Sequence, residues 1–157
     1  FHFAGALNRA RDFANYDKLY EINVKGTLNI LMLWKDVNYR CFYFASTSEV
    51  YDTSVPVPFR EDSPVNPSSP YSLTKLMAEQ IIRTFSQIYN KPFIIFRIFN
   101  FYGPDLPVNT FIGELIFNIK TAKKFKMTRG EQKRDYLFID DLIDRIGFVT
   151  ASFFFKN

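Results

Sequence analysis

Tyr71 and Lys75 stand four residues apart in the stretch SSPYSLTKLMAEQ (68–80), directly behind a Ser-Ser-Pro that reads as a helix start. Ser69 is the expected N-cap and Pro70 the expected first helical residue. A serine oxygen can accept from an orphan amide of the first turn, and proline needs no amide partner there. Tyr71 then falls in the first turn, and Lys75, one turn later, shares its face. A free tyrosine titrates near ~10 and is a poor base at neutral pH unless its phenolate is stabilised. A neighbouring ammonium and the positive end of a helix dipole both favour the phenolate, so the pair predicts an acid/base able to take a proton from a sugar or alcohol hydroxyl. The plainer alternative is a tyrosine packed at a helix start and a lysine on the surface. Upstream lies the polar cluster STSEVY (46–51), at the end of an apolar run. Thr47 is placed there to hydrogen-bond the same substrate oxygen, and Glu49 to add a carboxylate close by. For Ser46, Thr47 and Ser48 the alternative is ordinary turn chemistry.

The elements that must hold these residues follow from periodicity. The runs RCFYFA (40–45) and FIIFRIF (93–99) are short, nearly continuous and rich in aromatic and β-branched residues, which predicts strands buried on both faces, as in parallel sheets. Between them Leu73, Leu76, Met77, Ile81, Phe85 and Ile88 recur at helical spacing, as do Leu19, Ile22, Leu28, Leu31 and Trp34 within 17–37. This alternation predicts an α/β fold with crossover helices. Further on, the pattern predicts a helix at about 109–123, a short strand near 125–128 and a strand at 134–140, with Asp140 capping a final helix from 141 to about Phe153. Val55 to Pro70 holds five of the eight prolines and is an expected loop, of the kind that binds ligands at strand ends of α/β sheets.

Composition narrows the function classes. The chain has 157 residues, 47% of them hydrophobic, enough for a single-domain core. The net charge of +4 is spread along the sequence. Its one local cluster, Lys120, Lys123, Lys124 and Lys126, reads as a solvated face, and Phe125 and Met127 interrupt it, so no nucleic acid partner is expected. The single cysteine, Cys41, lies in the apolar run CFYFA, which excludes a disulfide framework, offers no metal-ligand spacing and points to a buried thiol in a reducing, cytoplasmic setting. The most apolar tail segment, IGFVTASFFF, is short of the ~20 residues that span a bilayer and is broken by Thr150 and Ser152, so no membrane association is expected.

Taken in order, six segments resemble the extended short-chain dehydrogenase/reductase family, the NAD(P)-dependent epimerase/dehydratase group acting on nucleotide sugars. FHFAG (1–5) looks like the exit of strand four beside the coenzyme, NVKGTLNIL (23–31) like the helix after it, and FASTSEVY (44–51) like the end of strand five. EDSPVNPSSPYSLTKLMAEQ (61–80) resembles the loop and helix with the Tyr-Lys pair, RIFNFYGP (97–104) the exit of strand six, and GEQKRDYLFIDDLI (130–143) the segment that holds the nucleotide's diphosphate. The resemblance covers nearly the whole chain. It implies a Rossmann-like doubly wound parallel sheet, NAD or NADP as cofactor, no metal, a nucleotide-diphosphate sugar as substrate and a homodimer when complete.

The same resemblance implies roles. Thr47, Tyr71 and Lys75 match the catalytic triad, with Tyr71 as base, Lys75 lowering its pKa and holding the coenzyme ribose, and Thr47 binding the reacting oxygen. Ala4, Gly5 and Ser46 match positions lining the coenzyme, while Asn100 and Arg134 match groups that contact the nucleotide sugar. An arginine suits a diphosphate because its guanidinium donates paired, charge-assisted hydrogen bonds. The alternatives are a turn role for Asn100 before Gly103-Pro104, and for Arg134 a surface ion pair with Asp135 or Glu131. The reaction implied is transient oxidation at C4 of the hexose. Glu49, in a pattern like that of sugar 4,6-dehydratases, would then remove the C5 proton. Epimerisation, keto-sugar reduction, decarboxylation and a non-catalytic Rossmann-like binding protein are the competing outcomes.

Two departures qualify the match. Asp52 stands where the family usually has glycine after Val-Tyr. The six glycines (5, 26, 103, 113, 130, 147) form no glycine-rich dinucleotide loop, whose amides would cradle a diphosphate at a helix N-terminus. The chain also opens on FHFAG without a methionine. Residues 1–157 are therefore expected to be the second half of a NAD(P)-binding domain with the start of the substrate-binding region at about 100–157, a fragment truncated at both ends and inactive as it stands.

Overall fold

The computed structural model describes residues 1–8, 10–124 and 127–155. The chain divides into two compact units, Phe1–Ile98 and Phe99–Asn157. The first contains α1 (Tyr16–Leu19), a π-helical turn (Tyr20–Lys25), α2 (Gly26–Leu33), β1 (Phe42–Thr47), a 3-10 turn (Ser48–Val50), α3 (Pro70–Tyr89) and β2 (Phe93–Ile98).

β1 and β2 pair in parallel, from Phe42 opposite Phe93 to Thr47 opposite Ile98, and α3 makes the crossover that a parallel pair requires. On the other side of β1, His2 forms a parallel bridge with Phe44: its amide donates to the Tyr43 carbonyl (2.7 Å) and its carbonyl accepts from the Ala45 amide (3.1 Å). Side chains alternate along a strand, so Phe42 and Phe44 face the same way. They meet Leu31 of α2 and Ala78, Ile82 and Phe85 of α3, whose spacing of three and four makes one helical stripe. This cluster fixes the helix that carries Tyr71 to the strand that carries Thr47. Ile82→Ala, which empties the middle of the stripe, is expected to cost about 2–5 kcal/mol, read as a lowered urea midpoint of the chain.

The start of α3 is built as its sequence predicts. The Ser69 hydroxyl accepts from the Ser72 amide (3.1 Å), the Ser69 amide donates to Ser72 Oγ (3.1 Å), and Pro70 follows the cap. The helix ends at Asn90, whose left-handed backbone (φ 51°) turns the chain toward β2.

The second unit contains β3 (Asn100–Tyr102), α4 (Phe111–Lys120), β4 (Tyr136–Phe138) and α5 (Ile139–Phe155). β3 and β4 are parallel, with Asn100 opposite Tyr136. Thr110 caps α4 by accepting from the Gly113 amide (3.1 Å). Gly113 is required there, since a Cβ would lie 2.3 Å from the Pro107 carbonyl oxygen.

Three expectations change. β1 lies two residues later than the apolar run, because Ser46 and Thr47 complete the ladder with Arg97 and Ile98. Asp140 does not cap α5: β4 runs straight into the helix at Ile139, which leaves Asp140 inside the first turn. Of the strand expected near 125–128, Phe125 and Lys126 lie outside the described residues, while Met127 and Thr128 are not in a strand. Among the described residues no helix is long and apolar enough to cross a membrane.

Candidate active site

The C-terminal end of β1 presents Thr47, and the 3-10 turn behind it folds Glu49 back. Thr47 Oγ1 accepts from the Glu49 amide (3.2 Å), capping that turn. The Thr47 and Tyr71 hydroxyls share a hydrogen bond, which favours the phenolate, but two effects oppose it. Burial comes first and the Glu49 charge second, and together they push Tyr71 above the ordinary phenol value. The expected lowering of Tyr71 by Lys75 is thus reversed in direction.

Lys75 is 5% exposed, which removes the surface alternative. Its ammonium sits 4.2 Å from the Phe44 ring centroid, a cation–π contact. Burial lowers Lys75 to about 8, with the Glu79 charge acting in the opposite direction. It lies against Gly5: a Cβ on that residue would be 3.7 Å from Lys75 Nζ and 3.2 Å from Asn23 Oδ1. Ala4 and Gly5 are exposed, so their backbone edge faces open space beside the ammonium.

Asn23 holds that edge in place. Its side-chain oxygen accepts from the Ala6 amide (2.8 Å), and its nitrogen donates to the Ala6 carbonyl (3.0 Å) and to Thr74 Oγ1 (3.0 Å). One buried amide thus ties the 4–6 segment to the helix of Tyr71 and Lys75. The lone histidine belongs to the same scaffold: His2 Nε2 and the Thr27 hydroxyl share a hydrogen bond (3.0 Å), and that hydroxyl donates to the Asn23 carbonyl (2.7 Å). Burial, foremost, and the Lys75 charge lower the pKa of His2, which keeps it neutral.

Thr47, Glu49 and Tyr71 therefore come together, and Lys75, one turn further along α3, meets Gly5. Ser46 shares the Phe44 face of β1, the face on which Lys75 lies. It lies on the opposite side of β1 from Thr47, and its hydroxyl donates to Glu79 Oε1 (2.5 Å). Asn100 and Arg134 belong to the second unit. Asn100 pairs with Tyr136 in the ladder and its Nδ2 donates to the Asp135 carbonyl (3.4 Å), while Arg134 is an exposed residue two positions before Tyr136. Among the described residues no group of three or more His, Cys, Asp or Glu is arranged to hold a metal.

Sequence reasoning assigns no role to Glu79 or Arg97 and none to Asn23 beyond a motif match. Their signal was present: a lone arginine in an apolar strand, and an acid one helical turn past Lys75 on a buried face, each need a partner.

The sequence matches the profile of the NAD dependent epimerase/dehydratase family over residues 1–153. It is 39% identical to a UDP-glucuronate 4-epimerase of Thermodesulfobacterium geofontis over 125 residues, 76% of this chain and 38% of that protein. It is 35% identical to a dTDP-glucose 4,6-dehydratase of Mycolicibacterium smegmatis over 144 residues, 89% of this chain and 43% of that one. The fold superposes with a TM-score of 0.86 on the crystal structure of a Bacillus cereus UDP-glucuronic acid 4-epimerase in complex with UDP-glucuronic acid and NAD, at 29% identity, over 96% of this chain and 48% of that chain. The chain thus spans less than half the length of these relatives. By that profile match over nearly its whole length, the chain belongs to the NAD dependent epimerase/dehydratase family.

Proposed function

We propose that this chain is the catalytic part of a nucleotide-sugar epimerase or dehydratase that uses NAD. Residues 1–98 would form the second half of the coenzyme domain, and residues from about 100 onward the start of the substrate-binding region. The observation that carries the reading is the Lys75 ammonium. The residue is buried, and its ammonium lies over the Phe44 ring beside the Gly5 backbone edge, which no side chain fills. A buried cation in that condition is costly unless a ligand supplies oxygen atoms, and ribose hydroxyls fit the need. Lys75 would hold the coenzyme together with the backbone of Ala4 and Gly5. Ser46 would act through Glu79, not by contact.

When bound, NAD supplies the hydride acceptor. The chain's own residues handle protons: Tyr71 removes one from the C4 hydroxyl, and Thr47 hydrogen-bonds the same oxygen and keeps the phenol aligned. Asn100 and Arg134 would bind the nucleotide sugar, Arg134 by charge-assisted hydrogen bonds to the diphosphate. Similarity to a 4-epimerase and to 4,6-dehydratases leaves the branch to Glu49, which is exposed and acts on Tyr71 electrostatically. A homodimer is supported by the apolar side chains exposed along α2, Leu28, Met32 and Leu33, and by Trp34 just beyond it. Burial raises the Cys41 thiol, which suits a reducing cytoplasm.

The test is to follow UDP-glucuronate and dTDP-glucose by NMR with the full-length protein and NAD. A 4-epimer from the first, or a 4-keto-6-deoxy product from the second, supports the reading, and no change in either refutes it. For a dehydratase, Glu49→Gln is expected to lower product formation by about 10²-fold or more, and undiminished 4-keto-6-deoxy product would remove Glu49 from proton transfer.

A further inference from the structure

Arg97 is the one charged residue of β2, and its guanidinium joins three separate parts of the first unit. Nε reaches both carboxylate oxygens of Glu79 (3.1 and 3.2 Å), and Nη2 donates to Oε2 (2.8 Å). Nη1 donates to the Glu61 carbonyl in the proline-rich loop (3.3 Å), and the group lies over the Tyr51 ring at 4.7 Å. Ser46 completes the shell of Glu79, whose side chain is 0% exposed. Arg83 is 3.9 Å away and partly exposed to solvent.

Glu79 is also one helical turn beyond Lys75, the spacing at which lysine and glutamate ordinarily pair. Both are buried, and among the described residues the Lys75 ammonium has no other anion facing it: His2 from the N-terminal segment and Asn23 from the π-helical turn are neutral, β1 offers the Phe44 ring, and Tyr71 on α3 is a protonated phenol. Even so, the two do not form an ion pair. We propose that Arg97 is a positioning residue for Lys75: by closing the Glu79 carboxylate, it denies Lys75 the ion pair one turn away and leaves that ammonium turned to Gly5, where a ligand can use it.

The relevance to coenzyme binding rests on the function proposed above; the charge arrangement does not. With a carbon chain in place of the guanidinium, Glu79 would be a buried anion whose strongest available partner is Lys75. The ammonium would swing off Gly5 and hold its proton more tightly.

The test is an NMR titration of the Lys75 side chain in the full chain carrying ¹³C,¹⁵N-lysine, with Lys75→Arg identifying the signal and circular dichroism reporting the fold. In wild type the midpoint is expected at about 8. In Arg97→Met it should rise by about 1–3 pH units, and in Arg97→Met/Glu79→Gln it should return to the wild-type value or below. A folded Arg97→Met chain with an unmoved or lowered midpoint overturns the proposal. If Arg97→Met does not fold, the double variant, which removes both buried charges, decides: a midpoint above wild type overturns it. NADH affinity of the same proteins is read separately, with Arg97→Met expected to bind at least about tenfold more weakly and the double variant to recover. A full-length wild type that binds no NADH would sink the coenzyme reading and leave the titration intact as a measure of Arg97.

Discussion

Replacing Tyr71 by phenylalanine is expected to lower kcat by about 10²–10⁴-fold while leaving the fold unchanged. The substitution removes one oxygen and keeps the ring, so packing in the first turn of α3 survives and the loss falls on proton transfer and on the hydrogen bond with Thr47. Its pH signature is specific. Tyr71 is held above the ordinary phenol value by burial and by Glu49, so the basic form is scarce at neutral pH and the oxidation rate should climb as pH rises. That rising limb should vanish in the variant. A Tyr71→Phe enzyme with the wild-type rate and profile would exclude Tyr71 as the base.

Lys75→Met is expected to pull stability and function in opposite directions. Lys75 ordinarily titrates at 10.5 and here at about 8, so between those values the unfolded chain carries a proton that the folded chain does not. Unfolding then takes up protons, and stability rises with pH through that window. Below about 8 the whole penalty of the buried ammonium is present, on the order of 3 kcal/mol. Methionine keeps the length of the side chain without the charge. The variant should therefore unfold at a higher urea concentration near neutral pH, lose the gain in stability that wild type shows toward pH 10.5, and bind NADH at least about tenfold more weakly. Equal pH dependence in the two chains would mean that the ammonium is not desolvated.

What the sequence shows well is what neighbouring residues decide. Ser69, Pro70 and Ser72 form their cap from within four residues, and Thr47, Tyr71 and Lys75 belong to segments whose order carries the family's signature. What it hides is decided by partners far along the chain. Nothing near Ser46 in the sequence reveals that its hydroxyl is held by a glutamate 33 residues away. The direction of Tyr71's shift is set by burial and by the Glu49 charge, and a four-residue spacing cannot reveal that Phe44 provides the seat of the Lys75 ammonium. The end of the chain fails for a different reason: Asp140 has the composition of a cap, but β4 leaves no residue between strand and helix for one.

The π-helical turn at Tyr20–Lys25 has a geometric consequence for mutation. Leu19, Asn23, Thr27 and Leu31 are all buried and follow one another every four residues. In an uninterrupted α-helix each such step overshoots a full turn by about 40°, so Leu31 would end about 120° out of phase with Leu19. The wider turn takes up the surplus residue and brings both leucines inward, with Asn23 inside the wider turn and facing the 4–6 segment. The helix thus behaves as two rotors joined by a clutch. A one-residue deletion within Tyr20–Lys25 would let it relax to regular α geometry and keep both leucines inward, yet it would turn the asparagine away from Ala6 and Thr74, so a chain could retain its core and still lose the edge on which the site is built.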